Sequence, residues 1–199
     1  MILGLTGQTG AGKSTVCEML RQESGVAIID ADKIAREVVS TGTDCLAEIV
    51  LQFSITVLNE DGTLNRKRLA AEVFNDREKL KMLNKITFPH IVAAMRERAE
   101  QAIAEGAEIV VLDAPALFES RADKQCDKIL AVIAAPEVRR ARIMARDGLT
   151  EEEANARMNS QHDDAFYTSR AQFVIRNEGE PAALRLQVAE LLENLRAKS

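Results

Sequence analysis

The octapeptide Gly7-Gln8-Thr9-Gly10-Ala11-Gly12-Lys13-Ser14 leaves this chain few folds to choose from. It fits the pattern G-x-x-x-x-G-K-[ST] without a mismatch. Its glycines let the backbone wrap closely round an anion, so that successive N–H groups point inward. Lys13 brings a mobile positive charge to the β- and γ-phosphates of a nucleotide, and the Ser14 hydroxyl is a ligand for Mg²⁺. Such a loop works between a strand and a helix, because the helix N-terminus adds its dipole and free N–H groups to the anion site. Both flanks are present: the apolar run Ile2–Thr6 precedes the loop, and a helical pattern runs from Lys13 to about Glu23. That context disfavours the plainer reading of a Gly-rich turn capping a helix. Gly7, Gly10, Ala11, Gly12, Lys13, Ser14 and Thr15 are therefore the candidate residues for the phosphates of ATP.

The rest of the chain alternates short apolar runs with helical patterns, which is the signature of a parallel α/β sheet. Val26–Ile29 forms the second run, and Ile109–Leu112 and Ile129–Ile133 read as buried central strands. Gln172–Ile175 supplies a fifth. The expectation is a P-loop NTPase fold, with a five-stranded parallel sheet flanked by helices. From Asp32 to Gly106 the pattern is almost wholly helical, too long for one crossover helix. Within it Phe88, Ile91, Val92, Met95, Ala99, Ala102 and Ile103 recur at helical spacing, and Gly106 is a stop signal. The 32–106 segment reads as an inserted helical subdomain, with a turn at Asn59-Glu60-Asp61-Gly62. Glu137–Asp147 reads as a helix. Thr150 and Glu153 match a capping box, so a second helix follows directly after Gly148-Leu149. This hairpin, within 137–165, is a candidate lid. Leu184, Val188, Leu191, Leu192 and Leu195 share a face of the last helix. The whole chain, 1–199, reads as one domain with its core in 1–31, 107–136 and 170–199.

Composition narrows the partners. At 199 residues the chain buries roughly 70% of its unfolded surface, so it needs no disulfide or metal staple. Aromatic residues make up 4% and the net charge is -5. Both argue against nucleic acid, which calls for stacking platforms and basic surfaces. Cys17, Cys45 and Cys126 are far apart and odd in number, as expected of free thiols in a reducing compartment. No apolar run approaches the length of a membrane span, and the first apolar run lacks the basic flank of a secretory signal. The expected location is the cytoplasm, as a monomer or weak homo-oligomer.

Two further acidic sites stand where an α/β sheet binds ligands, at the carboxyl ends of its strands. Val110-Val111-Leu112-Asp113 ends in a carboxylate, which beside a phosphate loop is suited to hold Mg²⁺. Ile28-Ile29-Asp30-Ala31-Asp32 ends in two. Asp32 either orients an acceptor hydroxyl and takes its proton or caps the helix containing Ile34–Val39. Spacing leaves both roles open. Arg142 and Arg146 lie four apart on one helical face, with Arg139 close to the same stripe and Arg157 on the next helix. Like charges at that spacing repel by roughly 0.2–0.5 kcal/mol, and polyphosphate would relieve this. A solvated face paired with Asp147 and Glu151–Glu153 is the alternative.

The order of these pieces resembles the dephospho-CoA kinase family. Gly4-Leu5-Thr6-Gly7 through Gly12-Lys13-Ser14-Thr15 resembles its phosphate loop. Asp30-Ala31-Asp32 with Ala35-Arg36-Glu37-Val38-Val39 resembles its second motif, which is more diagnostic than the loop. Asp113-Ala114-Pro115 with Leu117-Phe118-Glu119 resembles its Walker-B segment. Arg142, Arg146-Asp147, Arg157 and Gln161 resemble its lid, and Val174-Ile175 with Asn177 and Gly179 its late nucleotide-contacting loop. Three positions depart from the pattern: Phe88-Pro89 where the family has His-Pro, Pro115-Ala116-Leu117 where it has Pro-Leu-Leu, and Ala171-Gln172 where it has Ala-Asp. The resemblance implies transfer of phosphate from ATP to the 3′-hydroxyl of dephospho-CoA. It also implies catalytic roles for Asp32, Lys13 and Arg142, and nucleotide contacts by Arg142, Arg146 and Asn177. Asp32, Arg36, Phe88, Pro89 and Leu117 would meet the acceptor, and Ser14 and Asp113 would hold Mg²⁺. A different P-loop small-molecule kinase is the nearest alternative. A nucleotide switch is less so, since the only Asn-Lys pair, Asn84-Lys85, continues as Ile86-Thr87 rather than as a base-reading motif.

Overall fold

The computed structural model describes residues 1–74 and 76–197. Two compact units are present: Met1–Ile29 with the chain from Gln101 onward, and Asp30–Glu100.

The first unit is built on a five-stranded parallel sheet. Its strands are β1 (Ile2–Gly7), β2 (Val26–Asp30), β3 (Ile109–Asp113), β4 (Lys128–Ile133) and β5 (Phe173–Arg176), in the order β2-β3-β1-β4-β5. The β-branched runs are buried on both faces, as parallel strands require: no residue from Ile129 to Ile133 exceeds 8% exposure. Register decides where chemistry collects. Leu5 pairs with Asp113 and Gly7 with Val132, so the phosphate loop and the Asp113 carboxylate leave the sheet at one edge. β5 starts one residue later than the sequence suggests. Gln172 instead brackets Ile129: its N–H donates to the Ile129 carbonyl (3.0 Å) and its Oε1 accepts the Ile129 N–H (2.9 Å).

Two helices pack on this sheet, α1 (Lys13–Arg21) and α9 (Pro181–Arg196). Val16, Cys17 and Leu20 from α1 and Leu184, Val188, Leu191, Leu192 and Leu195 from α9 share one core with Leu3, Leu5, Val111, Leu130 and Val132. Each fully buried leucine there contributes roughly 1.5–3 kcal/mol.

The second unit is helical. It contains α2 (Ala31–Glu37), α3 (Asp44–Phe53), α4 (Arg66–Phe74) and most of α5 (Arg77–Ala104). Its core joins Val39, Cys45, Ile49, Phe53, Val57, Leu69 and Val73. The turn at Asn59–Gly62 forms, with Gly62 at φ 78° and its N–H on the Asn59 carbonyl. Downstream of β4, α6 (Pro136–Asp147) and α7 (Glu151–Asn159) make the expected hairpin, with the Thr150–Glu153 capping box closed in both directions. A short α8 (Asp164–Thr168) precedes β5.

The cysteines are free. Burial pushes the thiols of Cys17 and Cys45 up to about 11 and that of Cys126 up to about 12. Only the thiolate reacts, so iodoacetamide at pH 8 should leave all three unmodified in the folded protein and label all three in denaturant. Rapid labelling of the native chain would contradict the packing described.

Candidate active site

Gly10 and Gly12 shape the phosphate loop. Both sit in the left-handed region, at φ 77° and 90°. A side chain at Gly10 would meet the Arg139 carbonyl at 2.7 Å, and one at Gly12 would collide with the Asn177 amide. Gly12 is the N-cap of α1, and no side chain caps that helix end. The first N–H groups of α1 are thus left to an anion.

The carbonyls of the loop are drawn outward. Asn177 Nδ2 donates to the Ala11 carbonyl (2.9 Å), and Arg142 Nη1 reaches the Gly10 and Ala11 carbonyls (both 3.4 Å). Arg142 Nη2 also donates to Asn177 Oδ1 (3.4 Å). The Thr9 N–H is committed to Gln161 (2.8 Å) and the Ala11 N–H to the Gln8 carbonyl (3.2 Å), so the amides at the start of α1 are the ones left to an anion. The Asn177 side chain is nearly buried, and its amide is engaged in this brace.

Lys13 forms an ion pair with Asp113. Burial, and after it the charge of that carboxylate, push up the thiol of Cys17, one turn along α1. Ser14, next to Lys13, is exposed. Among the described residues no three His, Cys, Asp or Glu side chains gather as a metal cage. A hydroxyl and one carboxylate suit Mg²⁺, which takes a few protein oxygens and completes its shell with phosphate and water.

Arg146 and Arg157 do not reach the loop in this arrangement. Arg146 makes a bidentate pair with Asp147 (2.8 Å for each bond), and Arg157 pairs with the same carboxylate. The Arg146 hydrogen bonds hold the Asp147 carboxyl below the usual carboxylate range.

Leu117 is a core residue. It has no exposed surface and packs where a side chain at Gly4 would otherwise stand. It cannot touch the acceptor, so that expectation is corrected. Arg139, placed by its spacing close to the Arg142 and Arg146 stripe, is 4% exposed. Its Nε donates to the Thr9 carbonyl (3.0 Å). Burial pulls its guanidinium below the usual arginine range, with Asp164 and Tyr167 acting in the opposite sense. Spacing left the anion-facing and solvated readings of this stripe open, and neither foresaw a buried guanidinium.

The remaining candidates belong to the second unit. Asp30, not Asp32, is the N-cap of α2: its carboxylate accepts the Lys33 N–H (3.0 Å). Asp32 lies in the first turn with its side chain exposed. Arg36 is exposed, Phe88 half-buried and Pro89 exposed within α5. His90, after the proline, pairs with Glu48 (3.0 Å).

The profile of the dephospho-CoA kinase family matches residues 1–182. The chain belongs to this family. A relative named dephospho-CoA kinase, from Listeria innocua, is 42% identical over 191 residues, covering 96% of this chain and 95% of its own. Among solved structures, a protein from Thermus thermophilus superposes with a TM-score of 0.81 at 32% identity, over 98% of this chain and 97% of its own. A dephospho-CoA kinase from Campylobacter jejuni gives 0.73 at 31% identity, over 98% and 96%. As a dephospho-CoA kinase family member the chain is a phosphotransferase.

Proposed function

We propose that this chain transfers the γ-phosphoryl group of ATP to the ribose 3′-hydroxyl of dephospho-CoA, giving coenzyme A and ADP in the final step of coenzyme A biosynthesis. The observation that carries this reading is the family match across 1–182, laid over a phosphate loop that opens α1 with no side chain capping the helix end.

Phosphoryl transfer asks the protein mainly for positioning and charge stabilisation. The amides at the start of α1, those of Gly12, Lys13 and Ser14 foremost, take the β- and γ-phosphates, whereas the Thr9 and Ala11 N–H groups are bonded within the protein. Lys13 turns from Asp113 to the transferring group, and Arg142, already on the loop, adds a second positive charge. Mg²⁺, held by Ser14 and Asp113, neutralises phosphate charge when bound. Asp32 orients the 3′-hydroxyl and accepts its proton as the oxygen–phosphorus bond forms and the bond to the β–γ bridging oxygen breaks. Its freedom from capping supports that role. Arg36, Phe88 and Pro89 contribute acceptor contacts from the 32–106 insertion, and the 137–165 hairpin, carrying Arg146, closes over the nucleotide as a lid that excludes water. No helix among the described residues is long and apolar enough to cross a membrane. The enzyme works in the cytoplasm on these two small substrates, without nucleic acid, as a monomer or weak homo-oligomer.

The test is ADP release from ATP-Mg with dephospho-CoA, beside controls with no acceptor and with adenosine nucleotides. Release should depend on dephospho-CoA, with coenzyme A as product. Release with a nucleotide acceptor alone would replace the substrate, and ATP binding without any transfer would overturn the activity.

A further inference from the structure

Thr9, at the crest of the phosphate loop, is held from two sides. Its carbonyl accepts from Arg139 Nε (3.0 Å), and its N–H donates to Gln161 Oε1 (2.8 Å). The neighbouring Gln8 side chain, 5% exposed, donates through Nε2 to the His162 carbonyl (2.8 Å). Arg139 lies in the first turns of α6, whereas Gln161 and His162 follow the end of α7. The two ends of one helical hairpin therefore grip one residue of the loop through the two peptides that flank it, Gln8–Thr9 by its N–H and Thr9–Gly10 by its carbonyl. Arg139 Nη2 is buried and has no hydrogen-bond partner among the described residues. A buried guanidinium placed this way sets an incompletely compensated positive charge behind the loop crest, where an approaching polyphosphate would feel it.

We propose that Arg139 and Gln161 are positioning residues for phosphoryl transfer, fixing the peptides on either side of Thr9 so that the crest of the phosphate loop is anchored to the base of the α6–α7 hairpin while the hairpin's tip is left to close. The inference rests on the reading of this loop as the ATP site. Neither side chain need touch the reacting atoms. Each fixes one of the two peptides on either side of the Thr9 Cα, and rotation of either would turn a carbonyl towards the phosphates.

The test compares Gln161→Ala and Arg139→Lys with the unaltered chain, using steady-state kinetics for each substrate, thermal melting and exchange of the Thr9 amide. Gln161→Ala should raise the KM for ATP about tenfold, the scale of one lost hydrogen bond at an anion site, and leave the KM for dephospho-CoA within about twofold. The Thr9 amide should exchange faster while the melting temperature stays within a few degrees. Arg139→Lys keeps the charge and loses the fixed Nε–H, so it should shift the ATP term in the same direction. If it fails to fold, Gln161→Ala at a half-buried site still decides. Unchanged ATP KM and unchanged Thr9 exchange would overturn the proposal, as would equal changes in both substrate KM values, which mark a merely structural role. Failure of the unaltered chain to bind ATP would instead overturn the reading on which it rests.

Discussion

Lys13→Ala should lower kcat for phosphoryl transfer by about a thousandfold, the scale seen when one preorganised positive or hydrogen-bonding group is removed from a transition state. The fold should survive. Lys13 and Asp113 keep 17% and 16% of their side-chain surface exposed, so the carboxylate left behind still reaches water. Circular dichroism and a melt separate the two effects: lost turnover with a native spectrum is the expected pair. Normal turnover would remove the phosphate-loop assignment, since no other lysine belongs to the loop or to the first turn of α1.

Asp32→Asn should slow transfer by roughly a hundredfold to ten-thousandfold, the range for a positioned general base, with ATP affinity unchanged. Here the capping geometry sharpens the test. Because Asp30 holds the Lys33 N–H, Asp32→Asn should leave the melting temperature where it was. Asp30→Ala should cost about 1 kcal/mol, the usual loss for an N-cap. A rate-neutral Asp32→Asn would return Asp32 to the surface, and the acceptor's proton would have to leave by another route.

The same pair of acids shows where sequence reading stops. Asp30 and Asp32 are equally good N-cap residues two positions apart. The choice between them was made by backbone conformation: Asp30 is extended, at φ -89° and ψ 108°, while Asp32 is already helical. The strands were legible because β-branched runs between helical patterns admit few other readings, and the capping box and the Gly62 turn were legible because their chemistry is local. β5 slipped by one residue because Gln172 can satisfy Ile129 through its side chain as well as its backbone, a non-local option that no pattern reveals. Leu117 lies in a motif yet is fully buried, and Arg139, placed only by helical spacing, is buried too. Motif or spacing gave each a neighbourhood but not a direction, and burial is a property of direction. Asn177 was found by its place after β5, yet its task, bracing Ala11, depends on a partner 166 positions away.

Nucleotide-dependent signalling needs a segment with two backbone arrangements, one for each nucleotide state. The segment from Thr9 to Ala11 has lost that freedom. Its outward carbonyls are tied to Arg139, Arg142 and Asn177, and Gly10 and Gly12 leave no room beside them. Such a loop carries no message about whether triphosphate or diphosphate is bound. Whatever tells this protein that a turnover is complete must be read from side chains, or from segments outside the loop.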